Sequence, residues 1–563
     1  MTEAEAAKMG AGFHKGFVTV DGKALHFVRL GKGPPVVMLH ASPCSAKVML
    51  PIQKEWADHF TTFAFDLPGF GLSDRLDKAP LGTADLADAI AGGIRALGLE
   101  QVSLYGRHTG AGVAVELARR HPRLVSMVLT DGFPVFTNRY TEDRIREYLP
   151  PIEPKWDGSH LVWTWFRYRE QHIFWPWDRS VQEHRADTDV PDVDFLYRGT
   201  VELLQAADTY SEVYASAFRH PGLAMISEVT VPVCYGNRPG DSQYKTLKAY
   251  PDDAWVHVFP RDAEAAAAEE LTVLLHHPAA SHVPAYVSRF SPWLAEGCDY
   301  IPTRFGPAYA RGCGVGREGA PVLFLHDLPG GIDVHREEIE ELAANRPVLA
   351  VDLMGNGYSE IADVGEPAIS SWIEQIIDCL DFTGLEKVDI YAHGTSAAVA
   401  IEMARHHPEK VGWITFRSPP AIERDQSGGF ADRYAPDISP SWEGANFLRL
   451  WHHLRDQQIW WPWYDRRTEC ARAVKLEIEP GVLQRRALIL LQQPRHYQTI
   501  WREVLGYPLL ESLGDLQKEC EFIAVETDLF AFALPTAKAA TNISHNAADY
   551  NGAECGEEFG GAI

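Results

Sequence analysis

The residues best placed to do chemistry sit on a turn that the chain writes twice. In LYGRHTGAGVAVELARRHP (104–122) an apolar strand runs into a Gly-bearing turn and then a small-residue helix. That is the setting of a G-x-S-x-G nucleophile elbow. His108 occupies the slot of the attacking group, and Gly106 and Gly110 are the small residues that such a strained turn needs. An imidazole there can act as a general base, or as a weak nucleophile with a labile adduct. The positive end of the following helix should favour its neutral form. In the second copy, IYAHGTSAAVAIEMARHHP (390–408), the slot holds Gly394, Ala392 replaces the first glycine, and His393 and Ser396 flank the gap. Ordinary serine hydrolysis is excluded at both turns.

The repeat reaches well beyond the turn. His40 matches His326, Asp66 matches Asp352, and Trp156 and Trp165 match Trp442 and Trp451. The run Arg169, Gln171, Ile173, Trp175, Pro176, Trp177 returns as Arg455, Gln457, Ile459, Trp461, Pro462, Trp463. So long a period means duplicated whole domains; solenoid units run only about 20–50 residues.

Positioning these residues falls to strands and helices in alternation. PPVVMLH (34–40), TTFAFD (61–66), VSLYG (102–106) and SMVLTD (126–131) read as buried parallel strands, and Asp21-Gly22 as a hairpin turn. Alternation stops over a helical, aromatic-rich stretch at about 136–225, then VPVCYG (231–236) and AWVHVF (254–259) resume it. PVLFLH (321–326), PVLAVD (347–352), VDIYA (388–392), WITFR (413–417) and EFIAV (521–525) repeat the order, with a helical insert at about 422–512. The expectation is α/β: two tandem domains, 1–297 and 298–563, each a mostly parallel doubly wound sheet. Residues 295–318, Gly-rich and poor in periodicity, read as the boundary between them.

The chain has 563 residues and a net charge of −25, which disfavours nucleic acid and anionic membranes as partners. Its eight cysteines form no C-x-x-C pair, so neither a disulfide scaffold nor a zinc site is expected. No apolar stretch is long enough to span a bilayer, and the N-terminus lacks a signal-like apolar run. A cytoplasmic setting is the expectation, with no metal and no cofactor.

Taken together these motifs resemble the α/β-hydrolase superfamily, in its haloalkane-dehalogenase and epoxide-hydrolase-like branches. His40-Ala41-Ser42-Pro43 resembles the family's H-G-x-P oxyanion loop, and Asp66-Leu67-Pro68-Gly69-Phe70-Gly71-Leu72-Ser73 its D-x-P-G-x-G-x-S turn. The resemblance implies a helical cap on each half. It also implies an oxyanion hole from the N–H groups of Ala41 or Ser42 and of Thr109, with Ser42 in a position that can touch substrate.

For the family's catalytic histidine the resemblance points to His282, in Ser281-His282-Val283-Pro284. Asp131, closing the strand after the elbow, is the candidate acid; Asp241 is the other, although Pro239 stands where the acid is usual. His545 echoes His282 in the second half. Eleven of the sixteen tryptophans fall in the two inserts. They read either as core or inter-half packing, or, with Trp175, as a pocket lining. Arg169 could stack on them or meet a ligand carboxylate.

These expectations favour a cofactor-independent enzyme acting on a small apolar or aromatic ester, amide or C–C-cleavable ketone. Its second half would be non-catalytic, the halves would pack as an internal pseudo-dimer, and further homo-oligomerisation stays open. A lyase using His108 as base, or a tandem pseudo-hydrolase that only binds a small ligand or protein, are the alternatives.

Overall fold

The structure is a computed structural model. It describes residues 13–541 apart from 137–139, 281, 292–293, 360, 362–365 and 423–428. Ser281, His545 and Cys555 therefore lie outside the described residues.

The first sheet has eight strands in the order β1-β2-β4-β3-β5-β6-β7-β8. They are β1 (His14–Val20), β2 (Lys23–Gly31), β3 (Pro35–Leu39), β4 (Thr61–Phe65), β5 (Val102–Arg107), β6 (Val125–Asp131), β7 (Val233–Asn237) and β8 (Val256–Val258). From β4 onward every pairing is parallel. The central β3 is Pro-Val-Val-Met-Leu and buried throughout, as a strand covered on both faces must be. At the antiparallel edge, Asp21 (φ 49) and Gly22 (φ 78) make the tight β1–β2 turn, both in the left-handed region that a two-residue hairpin requires.

The second sheet runs β15-β14-β13-β11-β12-β10-β9. Its members are β9 (Gly297–Thr303), β10 (Gly306–Cys313), β11 (Val322–Leu325), β12 (Val348–Val351), β13 (Val388–His393), β14 (Val411–Arg417) and β15 (Cys520–Ile523). The stretch read as the boundary carries strands of its own: β9 and β10 form an antiparallel pair that opens the second sheet. Glycines and prolines masked its alternation, and they are tolerated because β9 lies at the sheet edge.

Between β6 and β7 the chain inserts helices Glu142–Tyr148, Ser159–Glu170, Val193–Gln205 and Tyr210–Arg219. Between β14 and β15 it inserts Phe430–Tyr434, Ala445–Ile459, Pro480–Leu490, Tyr497–Gly506 and Leu509–Gly514. The two inserts touch reciprocally. A Cβ built on Gly158 (φ +73) would lie 2.6 Å from Trp451, and one on Gly444 (φ +68) would lie 2.7 Å from Trp165. Each glycine precedes the insert helix of its own half and accepts the buried tryptophan of the other. Trp451 Nε1 donates to the Trp156 carbonyl at 3.1 Å, and the Tyr197 hydroxyl to the Leu491 carbonyl at 2.9 Å. Among the described residues no helix is long and apolar enough to cross a membrane.

Candidate active site

His108 sits where β5 meets the helix Thr109–Arg120, with φ 45 and ψ −110. Positive φ is strained for a residue bearing a Cβ and marks this kind of turn. The turn is held by close backbone approach. A Cβ on Gly106 would lie 2.5 Å from the Gly110 carbonyl oxygen, and one on Gly110 would lie 2.1 Å from that of Leu39. His108 N–H donates to the Asp131 carbonyl at 3.2 Å, and Gly110 N–H to the His40 carbonyl at 3.1 Å. The elbow is thereby tied to β6 and to the candidate oxyanion loop.

That loop is fixed by a buried imidazole. His40 Nδ1 lies 2.8 Å from the Ala41 carbonyl, and His40 Nε2 accepts from Leu67 N–H at 2.9 Å. Since Nδ1 can only donate to a carbonyl, His40 is the neutral Nδ1-H tautomer, and burial lowers its pKa accordingly. Ser42 Oγ and Thr109 Oγ1 are buried and without a hydrogen-bond partner. Thr109 is also the first residue of its helix, so its N–H has no carbonyl within the helix to bond. Orphaned donors of this kind beside a reactive side chain are what an oxyanion site needs.

The imidazole of His108 lies against Gly132 (φ +80), where a Cβ would come within 3.0 Å of its Cε1. Its Nε2 is 3.0 Å from Asp241 Oδ2, while 34% of its side chain remains exposed. Asp241 is placed by a turn through Gly240 (φ 97), and its Oδ1 accepts the Gln243 N–H at 2.7 Å. Burial pulls the His108 pKa down, but the Asp241 carboxylate more than offsets this and leaves it above the ordinary 6.5. Asp241 is held below its usual range: burial raises it and the facing imidazole lowers it further. The helix end was expected to favour neutral imidazole; a carboxylate in contact outweighs it. Because Asp241 accepts only, Nε2 carries the hydrogen, and Nδ1 carries the lone pair whenever the ring is neutral.

Two proposed partners of His108 are placed elsewhere. Asp131 is buried at the end of β6 and lies 3.1 Å from Arg107 Nε and 3.1 Å from Arg238 Nη2. Arg238 in turn bonds Glu270 at 2.8 Å, and burial raises the Glu270 carboxyl to about 7. Asp131 is thus the centre of an ion-pair network, and the acid facing His108 is Asp241. His282 is exposed and lines a groove with Gly33, Pro34 and Thr61, at the start of β3 and β4. His108 follows the end of β5, so the two lie at opposite poles of a parallel sheet. The helix Ala263–Leu275, about 20 Å long at 1.5 Å per residue, carries the chain back across the sheet before His282 is reached.

The residues read as pocket lining are found in the insert. Arg169 pairs with Glu170 at 3.0 Å and lies over the rings of Phe166 (4.4 Å) and Trp442 (5.8 Å). Trp175 packs edge-on to Tyr148, with ring centroids 5.9 Å apart.

In the second half Gly394 (φ 57) keeps the turn without a side chain. Five further groups gather at the same end of the sheet. His335 Nε2 is 2.8 Å from Asp327 Oδ1, and its Nδ1 is 3.4 Å from Glu338. His393 Nε2 is 3.9 Å from Asp528. Burial opposes charge on His335, but hydrogen bonds to Asp327 and Glu338 lift it to about 9. Burial and His335 push His393 down to about 4. This cluster was not foreseen: Asp327 replaces Ala41 in the loop, and His335, Glu338 and Asp528 belong to no recognised spacing.

Known proteins are similar to parts of this chain. The 2-(acetamidomethylene)succinate hydrolase of Mesorhizobium japonicum is 36% identical over 103 residues, 18% of this chain and 37% of that protein. A 2-hydroxymuconate semialdehyde hydrolase of Pseudomonas putida is 32% identical over 142 residues, 24% of this chain and 47% of that protein. The chain spans less than half the length of these curated relatives. Epoxide hydrolase VrEH1 from Vigna radiata aligns at 17% identity over 49% of this chain and 98% of that chain, with a TM-score of 0.36. Residues 34–206 and 320–449, more than half of the sequence, match the alpha/beta hydrolase fold. The chain belongs to the alpha/beta hydrolase fold family, as two tandem domains.

Proposed function

We propose that the N-terminal half is a cofactor-independent hydrolase of small apolar or aromatic carbonyl compounds, with His108 as its general base and Asp241 as the group that orients it. The observation carrying this reading is the 3.0 Å contact between Asp241 and a strained, partly accessible imidazole at the elbow. A filler side chain in a dead elbow needs neither the strain nor the carboxylate. Two relatives are named as hydrolases of a succinate derivative and of a semialdehyde, which fits a small carbonyl substrate.

Neutral His108 takes a proton from water at Nδ1 while the hydroxyl adds to the carbonyl carbon. The oxygen's new negative charge is met by the N–H groups of Thr109 and of Ala41 or Ser42. Collapse of the adduct expels the leaving group, which takes the proton back from the imidazolium. The C-terminal half takes no part in elbow chemistry, because Gly394 offers no reacting atom, and the halves act as an internal pseudo-dimer.

The test is His108→Ala, assayed against aryl esters and cleavable ketones with circular dichroism as a control for folding. General base catalysis contributes about 10²–10⁴-fold, and a loss of that order in kcat/KM is expected. Undiminished turnover by a folded variant would leave a binding module as the better reading.

A further inference from the structure

We propose that the C-terminal half binds a divalent first-row transition-metal ion through Asp327, His335 and His393. This inference stands apart from the His108 site and concerns the other half of the chain. One donor atom from each of the three residues lies within 4.8 Å of the others. Metal–nitrogen and metal–oxygen bonds are about 2.0–2.2 Å, so small side-chain rotations close the remaining gap.

The residue types are those that select such an ion: two imidazoles and one carboxylate suit zinc, iron or manganese, and they do not suit calcium or magnesium. The elements bring them together from three places: the loop after β11 (Asp327), the turn Ile332–His335, and the last residue of β13 (His393). His393 Nδ1 is buried and has no hydrogen-bond partner, which is costly unless something else meets it.

Each imidazole also has a supporting carboxylate on its far side, the usual means of fixing a ligand's tautomer and orientation. Glu338 serves His335, and Asp528 faces His393. Both supports are anchored. The Tyr391 hydroxyl donates to Glu338 at 2.6 Å, Arg417 bonds both Glu338 and Asp528, and Ser418 donates to Asp528 at 2.7 Å. Three carboxylates therefore surround the two imidazoles, with the Arg417 guanidinium bridging Glu338 and Asp528, and a divalent cation bound there takes the place of the His335 proton. Asp327 retains 45% of its side-chain exposure, so an ion can reach the site from solvent. Three protein ligands leave positions for water or for an anionic guest.

The experiment uses the full chain, stripped with chelator, desalted and titrated with Co²⁺. Visible d–d bands and elemental analysis report coordination and stoichiometry. One equivalent is expected, displaced by Zn²⁺ and retained by His108→Ala. His393→Gln and Asp327→Asn should abolish the bands, and Glu338→Gln should weaken binding about 10–100-fold. No uptake by the wild type, or bands that persist in both ligand variants, overturns the proposal and leaves an ordinary ion-pair network. Should one variant fail to fold, the other decides; Asp327, being half exposed, tolerates the change best.

Discussion

Two carboxylates lie near the elbow, and their partners separate their roles. Asp131 faces two guanidiniums and Asp241 faces the imidazole. Asp131→Asn would leave Arg107 and Arg238 short of a counter-charge at a buried position. Breaking such a pair costs about 3 kcal/mol, the lower end of the usual range because Arg107 is partly exposed. A lowered urea midpoint is the expected result, with the turnover inflection moved down less than in Asp241→Asn, because Asp131 raises the His108 pKa only as a more distant charge. The Asp241–His108 pair contributes to stability differently. Asp241's lowered pKa gives a contribution lost as pH falls through that value. His108's raised pKa gives one lost as pH rises through it. The pair stabilises the fold most between those limits. Sequence alone could not choose between the two acids, since Asp241 stands two residues beyond the usual position and only Gly240's positive φ turns it back.

The turn itself was legible, because its glycines sit where backbone approach forbids a side chain. Gly110→Ala would drive a Cβ to within 2.1 Å of the Leu39 carbonyl oxygen and 2.7 Å of that of His40. The helix start must then move, at a cost of about 1–3 kcal/mol, and His108 moves with it. Thermal unfolding should show the destabilisation and turnover should fall further than stability alone explains. The second half shows what relaxation looks like. Ser396 replaces Gly110, its hydroxyl donates to the Leu325 carbonyl at 3.1 Å, and the helix begins as a 3-10 turn at Gly394–Ser396. Buried strands such as β3 were equally legible from their unbroken apolar runs. The β9–β10 pair was not, because Pro302, Gly306 and Pro307 erase its alternation. His282 failed for a related reason: local sequence resembled a catalytic loop, but the length of the preceding helix decides where that loop lands.

Across the whole molecule the duplicated tryptophans serve as mutual anchors. Trp165 and Trp451, matched in the repeat, each bury against the other half's glycine, so the inserts are joined by equivalent contacts on both sides. Sequence reading left these rings open between packing and pocket lining, since spacing does not reveal which surface a repeated ring will meet. Gly158→Ala and Gly444→Ala should each destabilise by about 1–3 kcal/mol through overpacking, by similar amounts, and limited proteolysis should cut the inserts sooner. Insensitivity of both variants would mean that the inserts are not clamped together.

The pairing of His108 with Asp241 is tested most directly by the pH dependence of kcat/KM in the wild type and in Asp241→Asn, with one small ester that the wild type turns over. The wild type should gain activity through an inflection above 6.5, as the imidazole loses its proton. In Asp241→Asn that inflection should move below 6.5, because burial then acts without the facing carboxylate. An inflection that stays in place after the substitution would contradict the pairing and with it the assignment of His108 as the base.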